Sequence, residues 1–117
     1  MTALLVGIAG AAGVAARYGI SSPFHGTALP WATFAINVAG SFLLGVLVSS
    51  HDFSQDVRTV IGVGFLGGFT TFSTFTVQAF LDFEAGEPVR ALVYITASLL
   101  FGLAAAAAGF YLGRAVL

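Results

Sequence analysis

Four long runs of this chain are almost free of charge, and that pattern excludes most folds. The four arginines, five acidic residues and two histidines are confined to Arg17, His25, His51, Asp52, Asp56, Arg58, Asp82, Glu84, Glu87, Arg90 and Arg114. Between them lie apolar stretches at about 3–18, 29–50, 59–81 and 91–113. A bilayer core of roughly 30 Å takes about 20 apolar residues of helix, and a charge at its centre costs at least ~2.5–3.5 kcal/mol. The pattern predicts an all-α integral membrane protein with four transmembrane helices, a single membrane domain over residues 1–117. Only 8% of residues are charged, against roughly 25% in a soluble domain, so water is the wrong solvent.

The connections carry turn residues: Ser21, Ser22 and Pro23, then Gly26 to Pro30, then 50–56, then 82–88. Trp31 and Tyr18 stand where amphipathic rings prefer the membrane interface. The first run has the length of a signal-peptide core, but no basic segment precedes it, and its removal would leave another membrane protein. The chain has no cysteine, which excludes disulfides and thiolate metal sites. A net charge of −1 offers no basic surface for nucleic acid.

Lysine is absent, so orientation rests on arginine. Arg58 and Arg114 fall on one side of the membrane and Arg17 and Arg90 on the other. Two against two gives insertion no preferred direction. Copies are expected in both orientations, and their natural assembly is an antiparallel homodimer with its twofold axis in the membrane plane.

Small residues at Gly7, Gly10, Gly13, Ala35, Ala39, Gly40, Gly109 and Gly113 are spaced for close helix contact. In the third span, Gly62, Gly64, Gly67 and Gly68 precede a cluster of hydroxyls, which weakens a helix there. We expect the third helix to be broken at 67–71. Backbone of that kind survives at membrane depth only if it is buried or lines a hydrated cavity. The glycines also match the dinucleotide fingerprint G-x-G-x-x-G, but a span-length apolar run is no strand–turn–helix unit.

Phe72 and Phe75 share a face if helix resumes after the break. Their positive ring edges, with the hydroxyls of Thr71, Ser73 and Thr74, can solvate a small anion without a fixed charge. Asn37, the only carboxamide of the second span, needs a partner or water. Tyr94, Ser98 and Gly102 form a weak polar stripe on the fourth span. Arg17 either snorkels to the interface or draws anions inward. No carboxylate falls within the predicted spans, so proton-coupled transport and membrane hydrolysis lack a carrier or base.

At Gly64-Phe65-Leu66-Gly67-Gly68-Phe69-Thr70-Thr71-Phe72-Ser73-Thr74-Phe75 the chain resembles the small fluoride channels called Fluc or CrcB. Residues 10–18 and 33–42, the length and the four-span layout extend the resemblance over essentially the whole chain. It implies a dual-topology, antiparallel homodimer with two pores that export fluoride across the cell membrane, a bacterial inner membrane. A structural sodium ion (Na+) would sit at the dimer interface on the backbone carbonyls of Gly67 and Thr70 of both subunits. The partners so implied are fluoride, a second copy and membrane lipid. The resemblance makes Phe72 and Phe75 pore phenylalanines, Asn37 the pore asparagine and Arg17 the vestibule arginine. Thr33, Tyr94 and Ser98 fall on its polar track, beside the hydroxyls of Thr71 and Ser73. Gln78 stands where members often have an acidic residue, and Gly102 where they often have serine.

Two other readings compete. Small four-span multidrug exporters also form dual-topology dimers, but they resemble one another in a glutamate of the first span, which is absent here. A membrane assembly subunit without transport would leave residues 67–75 as packing.

Overall fold

The structure, a computed structural model, describes residues 1–24 and 30–116. The predicted start of the second span at Leu29 and the turn residues from Gly26 to Leu29 lie outside them. The helices are α1 (Thr2–Ser21), α2 (Trp31–Ser49), α3 (Gln55–Arg58), α4 (Gly67–Phe69), α5 (Ser73–Glu84) and α6 (Pro88–Val116). A 3-10 turn, Ser22–Phe24, follows α1, and wider π-type turns, Thr59–Leu66, join α3 to α4. Four helical rods, Thr2–Phe24, Trp31–Ser49, Gln55–Glu84 and Pro88–Val116, are long and apolar enough to cross a membrane. The protein is thus a multi-pass integral membrane protein.

Several ends of these rods have a local cause. In the last turn of α1 the Ser21 hydroxyl donates to the Arg17 carbonyl at 2.8 Å. Pro30 and Pro88 precede or open α2 and α6, where their missing N–H is not needed. Arg58 closes α2: its guanidinium donates to the carbonyls of Leu47, Val48 and Ser50, and its Nε to Phe53. Those carbonyls are the ones a helix C-terminus leaves unpaired. At the end of α5, Gly86 adopts φ +78° while its N–H donates to Phe83 and that of Glu87 to Asp82. This is the paired-carbonyl stop that favours glycine.

Consecutive spans alternate in direction, and the tight contacts join odd with odd and even with even. α1 lies along Thr59–Phe69, and α2 lies along α6, so each pair is parallel. Glycine sets both approaches. A Cβ on Gly13 would strike the Phe65 carbonyl and lie 2.9 Å from the Phe69 nitrogen, and one on Gly64 would lie 2.9 Å from the Val6 carbonyl. Gly109 and Gly113 meet Phe42 and Val46 in the same way. The predicted packing role does not extend to every small residue. A Cβ on Gly7 would meet nothing within 4 Å, and Ala35 and Ala39 are exposed.

The molecule measures 48 × 30 × 20 Å, long enough for a bilayer of about 40–45 Å with headgroups but only two helices thick. Its buried cluster is small: Phe75 and Ala79 of α5 and Tyr94 of α6, with Phe34 and Ile95 beside them. Between the two helix pairs runs an open groove of about 440 Å³.

The glycine contacts separate two otherwise similar substitutions. Gly13→Ala should lower stability by about 1–3 kcal/mol through overpacking, while Gly7→Ala should be neutral or slightly stabilising. Thermal unfolding in detergent, followed by loss of the folded species in size-exclusion chromatography, measures both.

Candidate functional site: the break in the third span

The break occupies Thr70, Thr71 and Phe72, at the C-terminal end of the predicted 67–71 window and one residue beyond it. Gly67 and Gly68 remain helical. Gly68 instead allows close approach to α1, since a Cβ there would meet the Gly10 carbonyl. The break itself is made by polar partners. The Thr71 N–H, which an unbroken helix would direct to Gly67, donates to Asn37 Oδ1 at 2.8 Å. In return, Asn37 Nδ2 donates to the Thr71 carbonyl at 2.9 Å. One carboxamide thereby replaces both halves of a peptide's lost hydrogen bonding. The Gly68 carbonyl, whose helical partner would be Phe72, accepts from Arg17 Nε at 3.1 Å. Thr70 bonds Leu66 through both its N–H and its hydroxyl, at 3.0 and 2.9 Å. Beyond the break, Thr71 Oγ1 accepts from the Thr74 N–H at 3.3 Å, and helix resumes with Thr76 N–H on the Phe72 carbonyl.

Asn37, which the sequence leaves needing a partner or water, and Arg17, which it leaves between snorkelling and drawing anions inward, therefore both hold backbone. Gly68 was not singled out as a binding partner, because a glycine carbonyl has no sequence signature. Asn37→Ala should strand two polar groups of Thr71 and lower stability by about 2 kcal/mol or more, read as a shift in thermal unfolding of the detergent-solubilised protein. Asn37→Gln should recover only part of the loss, since the longer side chain carries its amide past Thr71.

Phe72 and Phe75 do share a face, with ring centroids 6.2 Å apart and planes 54° apart. Phe72 is 76% exposed and Phe75 8%. Both line the 440 Å³ groove and also a second cavity of about 380 Å³ against Thr76, Phe80 and Ile95. The two rings stand where one hollow gives way to the other. Tyr94 packs edge-on to Phe75 at 5.1 Å, fixing the inner ring.

The polar residues divide. Asn37, Thr71, Ser98 and Gly102 line the groove with Ser41. Ser98 Oγ is buried and has no hydrogen-bond partner among the described residues. Tyr94 lies a turn away and donates to Gln78 Oε1 at 2.9 Å, and Thr33 on α2 is buried. Ser73 is exposed at the start of α5 and does not line the groove. Gln78, noted in the sequence only as a departure from a family pattern, proves to be the partner of Tyr94. α5 continues past residue 81 to Glu84, and Asp82 is 9% exposed on it, because Arg90 of α6 meets it at 3.2 Å.

Gly67 and Thr70 line one side of the groove. With its helical donor diverted to Asn37, the Gly67 carbonyl is available, and the Thr70 hydroxyl is turned away onto Leu66. Among the described residues no cluster of histidine, aspartate or glutamate can hold a metal. Any cation taken here must be one that backbone oxygens satisfy.

Comparison with known proteins places this architecture. Residues 4–110 match the family described as CrcB-like protein, Camphor Resistance (CrcB). Among curated relatives, the fluoride-specific ion channel FluC of Rhizobium johnstonii is 41% identical over 121 residues, covering 97% of either chain. Fluoride-specific ion channel FluC 2 of Clostridium acetobutylicum is 39% identical over 97% of this chain and 96% of its own. The FluC of Chlorobaculum tepidum is 42% identical over 95% of this chain and 93% of its own. A family match from residue 4 to residue 110, with relatives near 40% identity over nearly their full length, makes this four-span chain a member of the CrcB-like family.

Proposed function

We propose that the chain is a passive fluoride channel that exports fluoride across the cytoplasmic membrane, not an enzyme, working as an antiparallel homodimer with two pores and a sodium ion at its interface. The names of its relatives support fluoride. The observation that carries the reading is the position of Phe72 and Phe75 between two cavities, with uncharged donors alongside. A fluoride ion leaving water needs donors in place of its hydration shell, and a fixed cation at the midpoint would trap it. Ring edges and hydroxyls supply partial positive charge that is strong enough to enter and weak enough to leave. Ser98, with its buried unpartnered hydroxyl on the groove, is such a donor.

The groove and the balanced arginines support the dimer. One chain is too thin to enclose a pore, and twofold symmetry gives two equivalent grooves and hence two pores. Two carbonyls are too few to hold a cation, but a second copy brings the Gly67 and Thr70 carbonyls of both chains together. Sodium bound there would neutralise oxygens that hydrocarbon leaves unpaired. The multidrug exporter reading gains nothing from Asp82, which is tied to Arg90 at the turn and lies on α5 rather than α1.

Liposomes reconstituted with the purified protein and clamped with potassium ionophore should lose fluoride rapidly and keep chloride, with no dependence on an imposed pH gradient. Phe75→Ile should cut fluoride flux at least tenfold while the dimer survives detergent extraction, and Phe72→Ile should also lower it. Unchanged flux in both would leave the rings as packing, and no flux from correctly folded wild-type dimer would favour the assembly-subunit reading. Purified dimer should melt at lower temperature when sodium is replaced by potassium, and equal melting would remove the sodium site.

A further inference from the structure

We propose that Arg90 and Asp82 form the outer mouth of the anion path, an ordered charge pair whose partly exposed cation gathers fluoride and whose buried carboxylate keeps it from being held. The proposal rests on the channel reading above. Arg90, Tyr94 and Ser98 are four residues apart on α6, each step rising about 6 Å. Asp82 and Gln78 are likewise four apart on α5, which runs the other way. The result is a polar ladder. Arg90 meets Asp82 Oδ1 at 3.2 Å through Nη2 and 3.3 Å through Nε. One turn inward Tyr94 meets Gln78 at 2.9 Å. One turn further, Ser98 reaches the groove beside Asn37 and Phe75. Over about 12 Å the ladder runs from the α5–α6 turn to the ring pair.

The outer rung is asymmetric. Both contacts fall on one carboxylate oxygen, so Asp82 Oδ2 is buried without a partner among the described residues. The Arg90 side chain is 32% exposed and that of Asp82 12%. A guanidinium has five N–H donors in a planar fork, so donors remain for an approaching anion. From outside, the pair presents its positive end. Close in, the carboxylate cancels the charge that would otherwise hold the ion in a medium of low dielectric. A pair that merely joined α5 to α6 would serve equally well in either order, whereas this function requires the cation outermost.

Single-channel conductance in planar bilayers, recorded against fluoride concentration, tests the assignment. Arg90→Gln should raise the half-saturating fluoride concentration about tenfold, the scale of electrostatic gathering at a charged mouth, with limiting conductance retained. Arg90→Lys should restore most of the affinity. Added impermeant salt should raise the half-saturating concentration of the wild-type channel and should not raise that of Arg90→Gln, where the charges left at the mouth are the carboxylates of Asp82, Glu84 and Glu87 and screening relieves their repulsion. Asp82→Asn, close to isosteric, should do the reverse, lowering both half-saturation and limiting conductance as the unopposed guanidinium holds the ion. An Arg90→Gln channel with wild-type half-saturation and wild-type salt response overturns the mouth while leaving fluoride conduction intact. Wild-type protein that passes no fluoride overturns both readings.

Discussion

Hydrocarbon offers a peptide group no hydrogen bond, so every departure from helix inside a membrane must be paid for by a partner from the protein itself. In this chain the departure is three residues long, and the partners are named. Asn37 takes both the N–H and the carbonyl of Thr71, Arg17 takes the Gly68 carbonyl, and Thr71 caps the helix that follows. These bonds come from α1 and α2, on either side of the break. Span three can therefore be discontinuous only while both neighbours are in place, which ties the site to the packing of the whole chain.

That packing is governed by glycine. Parallel pairs come close enough to touch backbone to backbone at Gly13, Gly64 and Gly109. Tightness within each pair leaves space between the pairs, and the groove is that space. The break opens onto it, Phe72 and Phe75 close its far side, and Ser98 brings an unpaired hydroxyl to its wall. In the proposed reading, the features that look costly in one chain become useful together. Unpaired carbonyls face a second copy, an exposed phenylalanine faces an ion path, and a buried hydroxyl waits for an anion.

The charged residues follow one logic. Arg58 and Arg17 are occupied by backbone carbonyls, Arg114 lies over the rings of Phe110 and Tyr111, and Arg90 is the arginine paired with a carboxylate. Three therefore serve structure, whatever they contribute to orientation during insertion. Only Arg90 stands as a partly exposed cation backed by a buried anion at the end of a polar ladder.

Composition and spacing alone determined that the chain crosses a membrane four times and that the third crossing is interrupted, because charge-free length and glycine content act locally. They also marked Phe72, Phe75, Asn37 and Ser98, since polar or aromatic groups within an apolar run are conspicuous. Tertiary structure decided the rest. The position of the break moved past the glycines, because Gly68 was needed against α1 and the stabilising partners were at Thr71. Gln78 became the acceptor of Tyr94, and Asp82 became a buried residue. Each of these depends on which residue of another helix lies opposite, and that register is set by backbone-to-backbone contacts between residues tens of positions apart, which no local pattern encodes.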